Sequence, residues 1–256
     1  MIQTVSVGGL NIEYLDIQTS DQDLPTLILL HEGLGSVAMW RDFPSKLAEI
    51  SGCRVIAYSR PGYGQSDAYT QPRTPQYMHD EAVLLPKLMQ ALQLQKAVLL
   101  GHSDGASIAL LAAAMFPELF QGIVVMAPHL FVEEETLAGI RQAAEVWKTT
   151  DWSRRLARYH QDANRVFSDW QNIWLSPTFS DWNIESYLPK IYCPALAIQG
   201  EGDEYATMRQ IDVIAEQVLG AKLLKLPDCG HSPQRDQEQK ILDALVRFVD
   251  SLPAAP

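Results

Sequence analysis

An α/β fold, with a mostly parallel central sheet flanked by helices, is what this sequence predicts, and three observations lead there. Short uncharged runs rich in Val, Ile and Leu alternate with helical patterns along most of the chain. One of those runs turns directly into a helix pattern through Gly101-His102-Ser103-Asp104-Gly105. The rhythm then stops at Pro128, gives way to a helical, charged and Trp-rich stretch, and resumes at Pro194.

Taken in order, Met1–Val7 and Leu10–Leu15 alternate around Gly8-Gly9, a hairpin pattern. Leu24–Leu30 reads as a strand, Met39–Ile50 as a helix, and Cys53–Tyr58 as the next strand, before a loop rich in Pro and Gly. A helix over Asp80–Leu92 precedes the strand Lys96–Leu100, whose uncharged residues suit a strand buried on both faces. Ala106–Met115 is almost pure Ala, Ile and Leu, a strong helix former that stops at Phe116-Pro117. Gln121–Ala127, Pro194–Gly200 and Ala221–Leu226 read as further strands, with a last helix after the loop Pro227–Pro233. The tail Leu252–Pro256 is expected to fray.

The chemistry gathers at strand ends. Glycines flanking Ser103 leave room for neighbouring backbone at a sharp strand-to-helix turn, so Ser103 is expected to stand exposed at the carboxyl end of the sheet. Asp203 follows the strand ending at Gly200, and His231 lies in the loop after the strand ending at Leu226. A nucleophile, a base and an orienting acid are what acyl transfer by a serine hydroxyl requires. Developing negative charge needs preorganised N–H donors; the loop His31–Ser36 offers one, and Asp104, at a helix amino end, offers the other.

Ser103, Asp203 and His231, in that chain order, together with His31-Glu32-Gly33, Arg60-Pro61-Gly62-Tyr63-Gly64-Gln65-Ser66, Gly200-Glu201-Gly202-Asp203 and Gly230-His231, resemble the α/β-hydrolase superfamily. The resemblance runs over nearly the whole chain and implies an α/β-hydrolase fold with a helical cap after the sixth main strand: core 1–127 and 191–256, cap 128–190. Glu32 stands where relatives carry glycine, leaving Gly33 or Leu34 as the first oxyanion donor; the offset from His31 selects Gly33. Tyr58-Ser59 also departs from the usual Asp before Arg60, which bears on how that loop is pinned.

Five of the six tryptophans, Trp147, Trp152, Trp170, Trp174 and Trp182, fall in the cap segment. Most are expected to pack cap against core, with some lining the substrate pocket alongside Leu34 and His129. Arg141, Arg154, Arg155, Arg158 and Arg165 read as a solvated helix face, and Glu133-Glu134-Glu135 as an acidic first turn. His31 and His102 are expected to buttress their loops.

At 256 residues and 47% hydrophobic, the chain suits a single large α/β domain. A formal charge of −11 argues against nucleic acid or an anionic membrane as partner. Cys53, Cys193 and Cys229 lack metal-ligand spacing, no histidine pair has zinc-helix spacing, and neither a signal segment nor a membrane span is apparent. The expectation is a cytoplasmic monomer or homodimer working on a small-molecule acyl substrate, with no metal and no cofactor. By resemblance, a serine at the elbow favours esters, lactones or thioesters over haloalkanes and epoxides. A carboxylic ester hydrolase forming an acyl-enzyme on Ser103 is the first reading. Carbon–carbon bond hydrolases, cofactor-free haloperoxidases and slow-turnover receptors of the same fold are the alternatives.

Overall fold

Apolar residues that alternate between the two faces of a strand make a sheet buried on both sides, and five of the sheet's strands follow that pattern to place the site. The computed structural model describes residues 2–19, 23–69 and 72–253. An opening hairpin joins β1 (Ile2–Val7) to β2 (Leu10–Ile17), and β3 (Leu27–Leu30) follows. A 3₁₀ turn at Val37–Trp40 and α1 (Phe43–Ser51) lead into β4 (Val55–Tyr58). Next come α2 (Tyr77–Ala91), β5 (Ala97–His102), α3 (Asp104–Met115) and β6 (Phe120–Met126). Between β6 and the next strand lie α4 (Glu134–Thr149), α5 (Trp152–Leu156), α6 (Ala163–Trp174) and two 3₁₀ turns, Pro177–Phe179 and Glu185–Lys190. The chain closes with β7 (Ala195–Gly200), α7 (Arg209–Gln217), β8 (Lys222–Leu226), α8 (Pro233–Asp236) and α9 (Glu238–Asp250).

The eight strands are ordered β1-β2-β4-β3-β5-β6-β7-β8. From β4 to β8 neighbours pair in parallel, while β2 pairs antiparallel with both β1 and β4. After β3 the chain crosses to β4 on one side, and it later returns to place β5 on the other. The loops leaving β3 and β5 therefore diverge, opening a crevice at the strands' carboxyl ends, where ligands of open α/β sheets bind.

Alternation sorts the core into two layers. Leu27 and Leu29 of β3, Val98 and Leu100 of β5 and Val124 and Met126 of β6 pack with Trp40, Leu47 and Phe248. Ile28 and Leu30, Leu99, and Ile123 and Val125 pack on the other face with α2 and α3. Ile140, Phe167 and Trp174 of the insertion join this second layer. The Ala-rich helix, α3, is buried along its length between sheet and insertion.

Element boundaries shift where Pro intervenes. The predicted strand Leu24–Leu30 starts at Leu27, because Pro25 cannot donate to the ladder. The predicted helix Met39–Ile50 is in fact a 3₁₀ turn and α1, separated at Arg41, which has φ 55, with Pro44 in the first turn of α1. The tail expected to fray reaches residues 254–256, which lie outside the described residues. Among the described residues, no helix is long and apolar enough to cross a membrane.

Candidate active site

Ser103 occupies the junction of β5 and α3 at φ 53 and ψ −120, a conformation few non-glycine residues adopt. The turn is tight enough to dictate its neighbours. A Cβ on Gly105 would lie 2.2 Å from the Leu30 carbonyl oxygen, and one on Gly101 would lie 2.3 Å from the Gly105 oxygen. Ser103 donates its N–H to Met126 at 2.9 Å. Its side chain is not exposed, contrary to the sequence expectation: only 7% of the residue is accessible, because the insertion roofs the strand ends.

The three distant residues converge. His231 Nε2 lies 2.9 Å from Ser103 Oγ, and His231 Nδ1 lies 2.8 Å from Asp203 Oδ1. Asp203 Oδ1 also accepts the Tyr205 N–H at 2.9 Å. Burial opposes the Asp203 charge, yet the His231 hydrogen bond and charge hold its carboxyl below the usual carboxylate range. Burial would likewise lower His231, but the hydrogen bond and charge of Asp203, with Glu204 and Glu32 behind them, raise it above its ordinary value. The base loop is fixed through its backbone too. Glu204 Oε2 accepts the His231 N–H at 3.1 Å, and Asp236 Oδ2 accepts the Gly230 N–H at 2.9 Å.

The loop after β3 is oriented by its carbonyls. Glu32 O accepts Arg60 Nη2 at 2.9 Å, the Gly35 N–H at 3.1 Å and His31 Nδ1 at 2.7 Å. A planar trans peptide then aims the Gly33 N–H the opposite way. A Cβ on Gly33 would sit 2.4 Å from Trp170 Nε1 and 3.4 Å from Asp104 Oδ1, which places this residue against the cavity wall. Asp104 begins α3, where first-turn N–H groups have no intrahelical acceptor. Its carboxylate accepts the Tyr77 hydroxyl at 2.9 Å and lies 3.6 Å from fully buried Arg60.

A cavity of about 200 Å³ opens above Ser103 and His231. Leu34, His129, Trp152, Trp170 and Trp174 line it, as do Gly33 and Asp104. Trp147 and Trp182 do not, which corrects their inclusion as pocket residues. Trp147 lies parallel on Phe167 at 4.0 Å and Trp182 stacks on Phe179 at 5.2 Å, so aromatic neighbours cover both rings. His129 lies 5.7 Å from the His231 ring, and burial, with the neighbouring His231 charge, pushes it down to about 3. It is a neutral wall residue rather than a second base.

Sequence reasoning overlooked several supports. Glu204, beside Asp203, carries no signal of its role in the sequence, yet it holds the His231 N–H. His160, from the insertion, accepts the Gly64 N–H and faces the Leu34 carbonyl, each at 3.0 Å. The Tyr58-Ser59 departure is resolved by Glu13: Ser59 Oγ donates to Glu13 Oε2 at 2.5 Å and accepts the Val37 N–H at 2.9 Å. These residues sit in loops or on a hairpin strand, where no periodicity announces a partner far along the chain. Glu134 and Glu135 lie in the first turn of α4 as expected of an acidic start, whereas Glu133, at the N-cap position, makes no side-chain capping bond and accepts instead from Thr207 and Gln210. Among the described residues, no cluster of His, Cys, Asp or Glu is arranged to hold a metal ion.

Comparison with known proteins follows the same lines. The sequence profile described as alpha/beta hydrolase fold matches residues 25–147. Serine hydrolase BPHL of Homo sapiens is 30% identical over 241 residues, covering 89% of this chain and 79% of that protein. Among solved structures, the enol-lactonase of Burkholderia xenovorans superposes with a TM-score of 0.77 at 20% identity, covering 97% of this chain and 100% of that one. An esterase of Exiguobacterium antarcticum superposes at 0.78 with 20% identity, covering 98% and 100%. At those identities the two structures speak to the fold alone.

Proposed function

The chain belongs to the α/β-hydrolase fold family, and on that premise we propose that it hydrolyses carboxylic esters or related acyl bonds through an acyl-enzyme on Ser103. The observation that carries the reading is the continuous line from Ser103 Oγ through His231 to Asp203, at 2.9 and 2.8 Å. Both distances are within proton-transfer reach.

In this mechanism His231 takes the Ser103 proton as the hydroxyl attacks the acyl carbonyl, and Asp203 fixes the imidazole and balances its charge. The Gly33 and Asp104 N–H groups receive the oxyanion. Preorganised donors of this kind contribute about 3–4 kcal/mol each in comparable sites. His231 hands its proton to the leaving alcohol, then activates water to release the acid.

The segment 128–190 serves as a cap that selects substrate by shape. With a cavity of about 200 Å³ walled by Trp152, Trp170 and Trp174, the acyl group is small to medium and partly apolar. Lactones and thioesters share the electrophile and fall within the reading. No cofactor, metal or macromolecular partner is required.

The test is direct. Incubation with a fluorophosphonate should add one adduct that peptide mass spectrometry places on Ser103. p-Nitrophenyl acetate and butyrate should turn over many times per chain. Labelling without multiple turnover would move the protein toward a slow-turnover receptor, and labelling elsewhere would remove the assignment.

A further inference from the structure

His102 sits one residue before the proposed nucleophile, yet it faces the base. It is 1% exposed, and its Nε2 lies 2.7 Å from the His231 carbonyl oxygen, so Nε2 carries a hydrogen and donates it. The two imidazoles face each other with centroids 5.3 Å apart. The far nitrogen of His102, Nδ1, lies 3.6 Å from Glu32 Oε2 and 3.1 Å from the side-chain amide of Gln234; because Nε2 already donates, Nδ1 meets the carboxylate as a donor only in the ring form that carries both protons, with the otherwise unpartnered amide oxygen of Gln234 turned toward it. One ring thus joins the loop after β3, the end of β5, the base loop and α8.

Glu32 follows His31 in the loop after β3, and the local backbone is shaped around it. A Cβ on Gly35 would lie 2.5 Å from Glu32 Oε2, so glycine at 35 clears the space that the carboxylate fills. Burial alone would raise the Glu32 carboxyl, but the neighbouring His102 imidazole holds it down at about 2, an anion throughout the working range.

We propose that Glu32 and His102 form a second carboxylate–imidazole pair that positions the base, coupling the oxyanion loop to the His231 loop. Neither residue touches the reacting atoms. Asp203 orients the His231 ring from its Nδ1 side, while His102 holds the His231 peptide from below and Glu32 fixes the His102 ring. This deepens the acyl-hydrolase reading and rests on it. The pair also adds an anion to the surroundings of His231. The charged and titratable groups facing that imidazole are Asp203, Glu204 and Tyr205 from the loop after β7, Glu32 from the loop after β3, His102 from β5, His129 from the loop after β6, and Arg235 from α8, while Asp236 of α8 is bonded to the neighbouring Gly230 N–H.

Glu32→Gln keeps shape and removes charge. It should lower kcat on p-nitrophenyl acetate about tenfold with KM within about twofold, the signature of a misplaced catalytic group. Loss of a nearby anion destabilises the imidazolium, so the acidic limb of kcat/KM should move down by roughly half a pH unit. The His231 imidazole, followed by NMR through a pH titration, should move with it. His102→Gln, which retains a donor toward the His231 carbonyl, should keep more activity than His102→Leu at matched thermal stability.

A Glu32→Gln protein with wild-type kcat and a wild-type His231 titration midpoint would overturn the proposal. Failure of the functional reading looks different: the wild type would neither label on Ser103 nor turn over the ester. The titration still decides the pair in that case, since it needs no turnover. A lowered midpoint supports the coupling and an unmoved one removes it.

Discussion

The carboxyl ends of the parallel strands and the helical insertion above them hold their side chains by different means. At the strand ends, directional bonds dominate. Glu32 O takes donors from His31, Arg60 and Gly35, and His231 is engaged at its N–H, its carbonyl and both ring nitrogens. In the insertion, rings pack on rings: Trp147 on Phe167, Phe179 on Trp182, and Trp174 edge-on to both Phe179 and Trp182. Hydrogen bonds fix atoms to within tenths of an ångström, as a reaction coordinate requires, whereas ring packing fixes a surface and leaves its shape open to change. On the proposed function the strand ends carry the chemistry and the insertion the selection, and substitutions should divide along the same line.

The sharpest break is Ser103→Ala, which should lower ester turnover by on the order of 10⁴-fold or more, with an unchanged thermal melt because only one hydroxyl is lost. Residual turnover near wild type would end the distinction at once. Asp203→Asn comes next, with a loss on the order of 10³–10⁴-fold in kcat and little change in KM, since the acid orients the base and does not meet substrate. An unchanged kcat would assign the orienting role to another carboxylate.

Gly33→Ala tests the seam between the two regions. Its Cβ would enter 2.4 Å from Trp170 Nε1, so the rate should fall about 10–100-fold by displacing either the oxyanion donor or the cap ring. Adding Trp170→Ala should restore part of the loss, and a purely additive double variant would show that the two regions do not meet there.

Within the insertion the tryptophans should separate into two groups. Alanine at Trp152, Trp170 or Trp174 should reorder preference among acetyl, octanoyl and benzoyl esters by several-fold. Alanine at Trp182 should cost about 3 kcal/mol of stability in chemical denaturation, and less at half-buried Trp147, with the preference order intact. If Trp147 or Trp182 also reorders preference, the cavity boundary is drawn in the wrong place.

The mildest effect is that of pH. His231 must be neutral to accept the Ser103 proton, and its value is raised above 6.5, so kcat/KM should fall as pH drops through a midpoint above 6.5. The Asp203 carboxyl, held below its usual range, stays ionised over that window and contributes no second step.

Much of the core was legible because its signals are local. Strand periodicity, the glycines around Ser103 and the Ala-rich helix each follow from neighbours within a few residues, and the crowding at Gly101 and Gly105 is the steric reason those positions are glycine. The order of Ser103, Asp203 and His231 could be read because each lies at the end of a strand or in the loop that leaves it. By contrast, α1 had to be separated from its preceding 3₁₀ turn, since helical pattern alone did not weigh Arg41 and Pro44.

Tertiary structure decided the rest. Which tryptophans face the cavity depends on how α4, α5 and α6 rotate against the sheet, and amphipathic spacing gives a buried stripe without saying what it covers. The covering of Ser103 arises from a segment distant in sequence. Long-range supports such as Glu13 to Ser59, His160 to Leu34 and His102 to the His231 carbonyl join residues separated by 46, 126 and 129 positions. Local sequence specifies what a residue is able to donate or accept; only the folded chain determines which partner stands within 3 Å to answer it.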